Sequence, residues 1–164
     1  MSTYDIFLVP EATQYKMYAK IIESFSKRYK TPSFPHITLL GMLEGEEQEL
    51  LSKTDKIVKP FKSMEVGIFG MNFTNTVNQC VFAQIKMSSE LLTLYNELAT
   101  NLHYSRKAPF FPHMSLVYGD LSTEEKSNIA SQTKVGKTLI LDRLLIYRDG
   151  PLASDWAQVA EFKL

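Results

Sequence analysis

Apolar and polar positions alternate between two periods along this chain, and the alternation happens twice. Asp5–Val9 is a short apolar run bounded by Pro10, as expected of a buried strand. Tyr15–Tyr29 then carries Met17, Ile21, Ile22 and Phe25 at helical spacing. After Pro32 and Pro35, which no helix interior accepts, His36 is expected to open a second strand. The same order returns later. Gln79–Lys86 reads as a strand, and Ser88–His103 as a helix with Leu91, Leu94, Tyr95, Leu98 and Leu102 on one face. Pro109 and Pro112 follow, and then a strand from His113.

Sliding the chain on itself by the separation of His36 and His113, 77 positions, lays FPHITL at Phe34–Leu39 on FPHMSL at Phe111–Leu116. Pro32 then meets Pro109, Tyr18 meets Tyr95, and the apolar run Tyr4–Pro10 meets Val81–Met87, with no gap. Forwards, the acidic helix opening at Gly45–Glu47 meets Ser122–Glu124, where Ser122 and Glu125 have the spacing of a capping box. Ser63–Phe73 is expected to be a further strand. Thr138–Arg148 and Trp156–Leu164 are expected to pair around Asp149-Gly150-Pro151. The expected architecture is α+β: one bilobal domain over residues 1–164, with about 4–47 matching 81–124. Antiparallel sheets would surround a central cleft, with helices outside.

Within each repeated strand, residues i and i+2 share a face. His36 therefore lies beside Thr38, and His113 beside Ser115, each pair backed by apolar residues. A single histidine after a proline is ordinarily structural. Two at matching positions of a repeated unit, each with a hydroxyl two residues on, point to chemistry at phosphorus. One imidazole takes a proton from water, and the other protonates the leaving oxygen. Both titrate near pH 6.5, so the two states coexist around neutrality. The hydroxyls would hold the non-bridging oxygens. His103 has no such partner and reads as a surface residue. Lys27, Arg28 and Lys30 form a small basic cluster that could attract an anion.

Composition narrows the partners. Eighteen basic residues balance eighteen acidic ones, against a general polyanion binder. One cysteine, Cys80, excludes an intrachain disulfide and fits a reducing compartment; burial is expected for it. Three scattered histidines suggest no metal site and no cofactor. No stretch approaches a membrane span or a secretory signal, so a cytoplasmic protein is expected, and a monomer, since no dimer patch or coiled coil is visible.

PHITL and PHMSL are similar to the paired H-x-[T/S] motifs of the 2H phosphoesterase superfamily. Within it, QCVF at Gln79–Phe82, PFFPHMSLVYGDLSTEEK at Pro109–Lys126 and the terminal WAQVAEFKL resemble the small cyclic phosphodiesterases of plants and yeast. The resemblance implies metal-independent hydrolysis of 2′,3′-cyclic nucleotides to 2′-phosphates, or of ADP-ribose 1″,2″-cyclic phosphate to ADP-ribose 1″-phosphate. It implies that His36 and His113 are catalytic, His113 activating water and His36 protonating the leaving oxygen; the residues themselves fit the reverse equally. Thr38 and Ser115 would bind phosphate. Tyr118 matches a ligand-contacting tyrosine, although strict alternation puts it on the face opposite His113. The alternatives are an RNA 2′,5′- or 3′-end phosphodiesterase, with RNA ends as the partner, and a non-catalytic nucleotide-binding module.

Overall fold

The computed structural model describes residues 2–105, 108–151 and 155–164. The described elements run β1 (Ser2–Pro10), α1 (Ala12–Ser26), β2 (Ile37–Gly45), α2 (Glu47–Val58), β3 (Met64–Phe73) and a 3-10 turn (Val77–Gln79). There follow β4 (Val81–Ile85), α3 (Ser89–Asn101), β5 (His113–Val117), α4 (Thr123–Gln132), β6 (Thr138–Arg148) and β7 (Ala157–Lys163). The strands are ordered β2-β1-β6-β3-β4-β5, all antiparallel, with β7 also on β6. Eleven residues make β6 long enough to hold β1 along one side, with β3 and β7 in succession along the other.

The order is the same read from either end: an H-x-[T/S] strand outermost, the first strand of its unit next, then β6 or β3. The two outermost strands nevertheless approach each other. The sheet therefore curls until its ends meet, as twisted sheets do, and the two motifs come together across a groove. An antiparallel bridge between Lys30 and Tyr118, with Tyr118 N donating to Lys30 O at 2.8 Å, ties the connection after α1 to the end of β5.

The helices cover the convex face. Tyr18 and Ile22 of α1, Leu50 and Val58 of α2, and Leu91, Leu94 and Leu98 of α3 share one core with alternate residues of the strands. The motif strands are anchored there by Ile37, Leu39, Met114 and Leu116, all fully buried, each worth about 1.5–3 kcal/mol of burial. Helix α4 begins with the capping box read from Ser122 and Glu125.

Helix α1 starts and stops three residues before the expected span. Glu11 caps it, accepting from Thr13 N at 2.9 Å and Gln14 N at 2.8 Å, so two otherwise orphaned amides are met. At the other end the backbone must be extended by Lys30 to bridge Tyr118, which ends the helix early. Gln79 and Cys80 lie before β4 rather than in it, because Val77–Gln79 closes a 3-10 turn. Cys80 is buried, as expected.

Candidate active site

The tripeptide Phe-Pro-His builds each half of the site. Proline fixes its own φ and holds the preceding residue extended. The carbonyl of that phenylalanine then accepts a hydrogen bond from the imidazole two residues on. His36 Nδ1 lies 2.8 Å from Phe34 O, and His113 Nδ1 lies 2.8 Å from Phe111 O. A carbonyl only accepts, so Nδ1 carries hydrogen in both rings and Nε2 is left for proton exchange. The same phenylalanine packs its ring on the imidazole, at 4.8 Å for Phe34 and 5.7 Å for Phe111.

A second aromatic comes from the neighbouring strand. Phe7 of β1 lies opposite Thr38 and 4.3 Å from the His36 ring. Phe82 of β4 lies opposite Ser115 and 5.3 Å from the His113 ring. These partners correct the offset read in the sequence. Phe34, His36 and Thr38 do match Phe111, His113 and Ser115 at 77 positions, but Phe7 matches Phe82, which is 75. The first strands are two residues out of step with that slide, so the repeat is not ungapped.

With that shift the pairings agree in detail. Ile6 meets Leu40 and Phe7 meets Thr38, skipping Leu39; Val81 meets Val117 and Phe82 meets Ser115, skipping Leu116. Each motif strand thus carries a β-bulge at the same place, which resets its alternation. This brings Tyr118 round to the face of His113. Burial, and then the charge of Asp5, pushes its phenol up to about 12.

Asp5 lies on that same inward face and is 8% exposed. Its Oδ1 accepts from Met42 N at 2.7 Å, which is reached because Met42 takes φ 56°. Burial, with the opposed carboxyl of Asp149, pushes Asp5 up to about 6. Asp5 was not singled out from the sequence, although an acid in the middle of Tyr4–Val9 is a visible signal.

The two halves differ around their matched frames. His36 is held between Phe7 and Phe34, and Tyr147 stacks on Phe34 at 5.1 Å. Desolvation pulls His36 down to about 4; the Phe34 carbonyl opposes this, and the charge of nearby His113 adds to it. Beside His113 lies Gln79, its amide 3.3 Å from Nδ1. The atom at that distance is Nε2, and a half-turn of the amide would bring its oxygen there to share that hydrogen with Phe111 O. Ser115, 6% exposed, donates its hydroxyl to Asn78 O at 2.8 Å. Among the described residues Thr38 makes no side-chain hydrogen bond, so its hydroxyl can donate to a ligand as it stands. Gln79 and Asn78 are site residues that the sequence reading does not name, although QCVF at Gln79–Phe82 is one of the segments that carry the family resemblance.

His103 is exposed, as read, and with Met42, Lys53 and Tyr104 lines a cavity of about 640 Å³ that includes none of the paired-motif residues. Among the described residues no group of three or more His, Cys, Asp or Glu could hold a metal ion, and no helix is long and apolar enough to cross a membrane.

A family model described as the 2′-5′ RNA ligase superfamily matches residues 9–148. A protein of Arabidopsis thaliana named cyclic phosphodiesterase is 22% identical over 126 residues, 76% of this chain and 70% of that protein. A protein of Halalkalibacterium halodurans named as a phosphoesterase is 29% identical over 138 residues, 79% of each. Among solved structures, E. coli LigT complexed with 3′-AMP superposes with a TM-score of 0.63 at 12% identity, covering 99% of this chain and 98% of that one.

Proposed function

The chain belongs to the 2′-5′ RNA ligase superfamily, and from that premise we propose that it is a phosphodiesterase that opens cyclic phosphodiesters with His36 and His113 as its acid–base pair. The observation that carries the reading is the matched pair of imidazoles. Each is fixed through Nδ1 at 2.8 Å, and each has a hydroxyl two residues on along the same strand face. The Arabidopsis relative bears the name of this activity, and E. coli LigT has been seen with a nucleotide. The substrates are 2′,3′-cyclic nucleotides or ADP-ribose 1″,2″-cyclic phosphate, with RNA ends as the second class. The matching bulges support descent of both halves from one duplicated unit. The balanced charge and single buried cysteine fit a cytoplasmic monomer.

The electrostatics favour His36 as the base, the reverse of the roles the family resemblance implies. His36 is the imidazole whose charged form is desolvated, so it stays neutral near pH 7. In a 2′,3′-cyclic ester it takes a proton from water as the water oxygen bonds to phosphorus. The bond from phosphorus to the 3′ oxygen breaks in line, and the His113 imidazolium gives its proton to that oxygen. The product is the 2′-phosphate with a free 3′-hydroxyl. Solvent proton exchange resets the two rings. Thr38 donates to a non-bridging oxygen, and Ser115 does so after its hydroxyl turns from Asn78 O.

Phosphorus NMR on a 2′,3′-cyclic nucleotide in excess chelator tests the reading. The expected result is conversion to the 2′-phosphate alone. No conversion of the mononucleotide or of ADP-ribose cyclic phosphate would overturn it and move the test to 2′,5′-linked and 3′-terminal RNA.

A further inference from the structure

We propose that Lys126, which lies outside the groove on α4, is a positioning residue that sets the geometry of the His113 half. The inference rests on the reading of His113 as an acid–base group. Lys126 is 3% exposed, and a lysine that deep must be paid with hydrogen bonds. It makes two: Nζ donates to Thr74 O at 3.1 Å and to Asn75 Oδ1 at 2.6 Å. The Phe73 ring lies 5.8 Å from the same ammonium.

Both acceptors belong to the segment between β3 and β4, and that segment carries what touches the site. Thr74 Oγ1 donates to Gln79 O at 2.7 Å, closing the segment into a loop. Within the loop, Asn78 O takes the Ser115 hydroxyl at 2.8 Å, and the Gln79 amide lies 3.3 Å from His113 Nδ1. At its far side Val77 O accepts from Gly119 N at 3.0 Å. The path from ammonium to imidazole is therefore Lys126, Thr74, Gln79, His113, through hydrogen bonds and one short stretch of chain. Charge-assisted bonds made by a buried ammonium are stronger than neutral ones and hold the loop at its base. Position 49, where the slide puts the first-half counterpart of Lys126, is a glutamate paired with Lys53 on the surface. The device exists in one half only.

The test uses Lys126→Met, which keeps the aliphatic stem, and Asn75→Ala, which removes one acceptor at an exposed position and is compatible with folding. Each is compared with wild type for kcat and KM on a 2′,3′-cyclic nucleotide, and by nitrogen NMR of the three histidine rings. Positioning predicts a fall in kcat of about tenfold or more for Lys126→Met with KM little changed, since small misplacements of a catalytic group are costly. Asn75→Ala should fall in the same direction by less. The His113 ring resonances and their titration should move, while His36 and the exposed His103 keep theirs. Adding Gln79→Leu to Lys126→Met should cost little more than either change alone, because both act through one loop. An unchanged kcat with unmoved His113 signals, equal displacement of His36 and His113, or fully additive losses would overturn the proposal. Should the wild type turn over no cyclic ester, the functional reading fails. The ring spectra would still decide whether Lys126 sets the environment of His113.

Discussion

The two halves of the groove share a backbone and differ in what surrounds it. Each offers Phe-Pro-His, a carbonyl on Nδ1, a bulge after the hydroxyl and a phenylalanine from the adjacent strand. Around His36 the additional neighbour is aromatic, the Tyr147 ring stacked on Phe34. Around His113 it is polar, the 74–79 loop with Gln79 and the Asn78 carbonyl. A pair of identical imidazoles would leave the division of acid from base to the orientation of the substrate alone. Unequal surroundings bias that division, because desolvation penalises the charged form of His36. On the proposed mechanism, the difference between the halves is what would assign the base to His36.

The most severe way to break the comparison is to remove each ring in turn. His36→Ala and His113→Ala should each lose about 10²–10⁴ in kcat. A cyclic substrate with sulfur at the leaving position separates them, because a thiolate departs without an acid. It should restore most of the lost rate to His113→Ala and little to His36→Ala. Rescue of His36→Ala instead would return the roles to those implied by the family resemblance.

A gentler change acts on the wall. In the wild type, kcat/KM should rise with pH through a limb below the ordinary histidine range, since His36 is held down to about 4. Phe34→Ala admits water to that ring and should move the limb up toward about 6.5, by about one pH unit or more. A limb that stays in place would mean that Phe34 does not set the proton affinity of His36.

Much of this was legible in the sequence because the motifs are local. Phe-Pro-His followed by a hydroxyl at i+2 needs no tertiary information, and the repeated order of strand, helix and proline turn gave the architecture. What was misread depends on pairing between distant segments. The bulges at Leu39 and Leu116 appear only when β1 and β4 are laid beside the motif strands, so strict alternation sent Tyr118 to the wrong face. The two-residue shift between Phe7 and Phe82 is hidden because any apolar strand slides over another without visible penalty. Gln79 looked like strand because its neighbours Cys80–Phe82 do; its turn is closed by Thr74, five residues upstream. Asp5 was overlooked as one polar residue in an apolar run, yet its inward face makes it part of the groove.

Stability offers a third comparison, between His36 and Asp5. The folded state holds His36 below its free value, so the unfolded chain takes up the proton more readily. Stability is therefore lost as pH falls from about 6.5 towards about 4. Asp5 is held above its free value, and ionisation favours the unfolded chain. Its contribution is lost as pH rises from about 4 through about 6. The two slopes oppose each other between pH 4 and 6. Asp5→Asn should make Tm climb more steeply with pH across that window, and His36→Asn should flatten or reverse the climb. Superimposable curves for the two variants would show that neither group is perturbed as described.

The smallest expected effect separates the hydroxyls. Ser115 is buried and donates to Asn78 O, so Ser115→Ala leaves that carbonyl without its donor and should cost about 1 kcal/mol of stability in urea unfolding. Thr38→Val keeps the shape of the side chain and breaks no hydrogen bond among the described residues, so its cost should stay within about 0.5 kcal/mol. Both should lower kcat, because each loses a donor to the non-bridging oxygens. The ratio of lost rate to lost stability should therefore be larger for Thr38, whose hydroxyl has no other work. Ser115 donates its hydrogen to the loop, so its alanine variant should also disturb the His113 ring that the loop touches. An equal loss of stability in the two variants would mean that the Asn78 contact contributes nothing, and the difference between the halves would then rest on Gln79 and the aromatic wall alone.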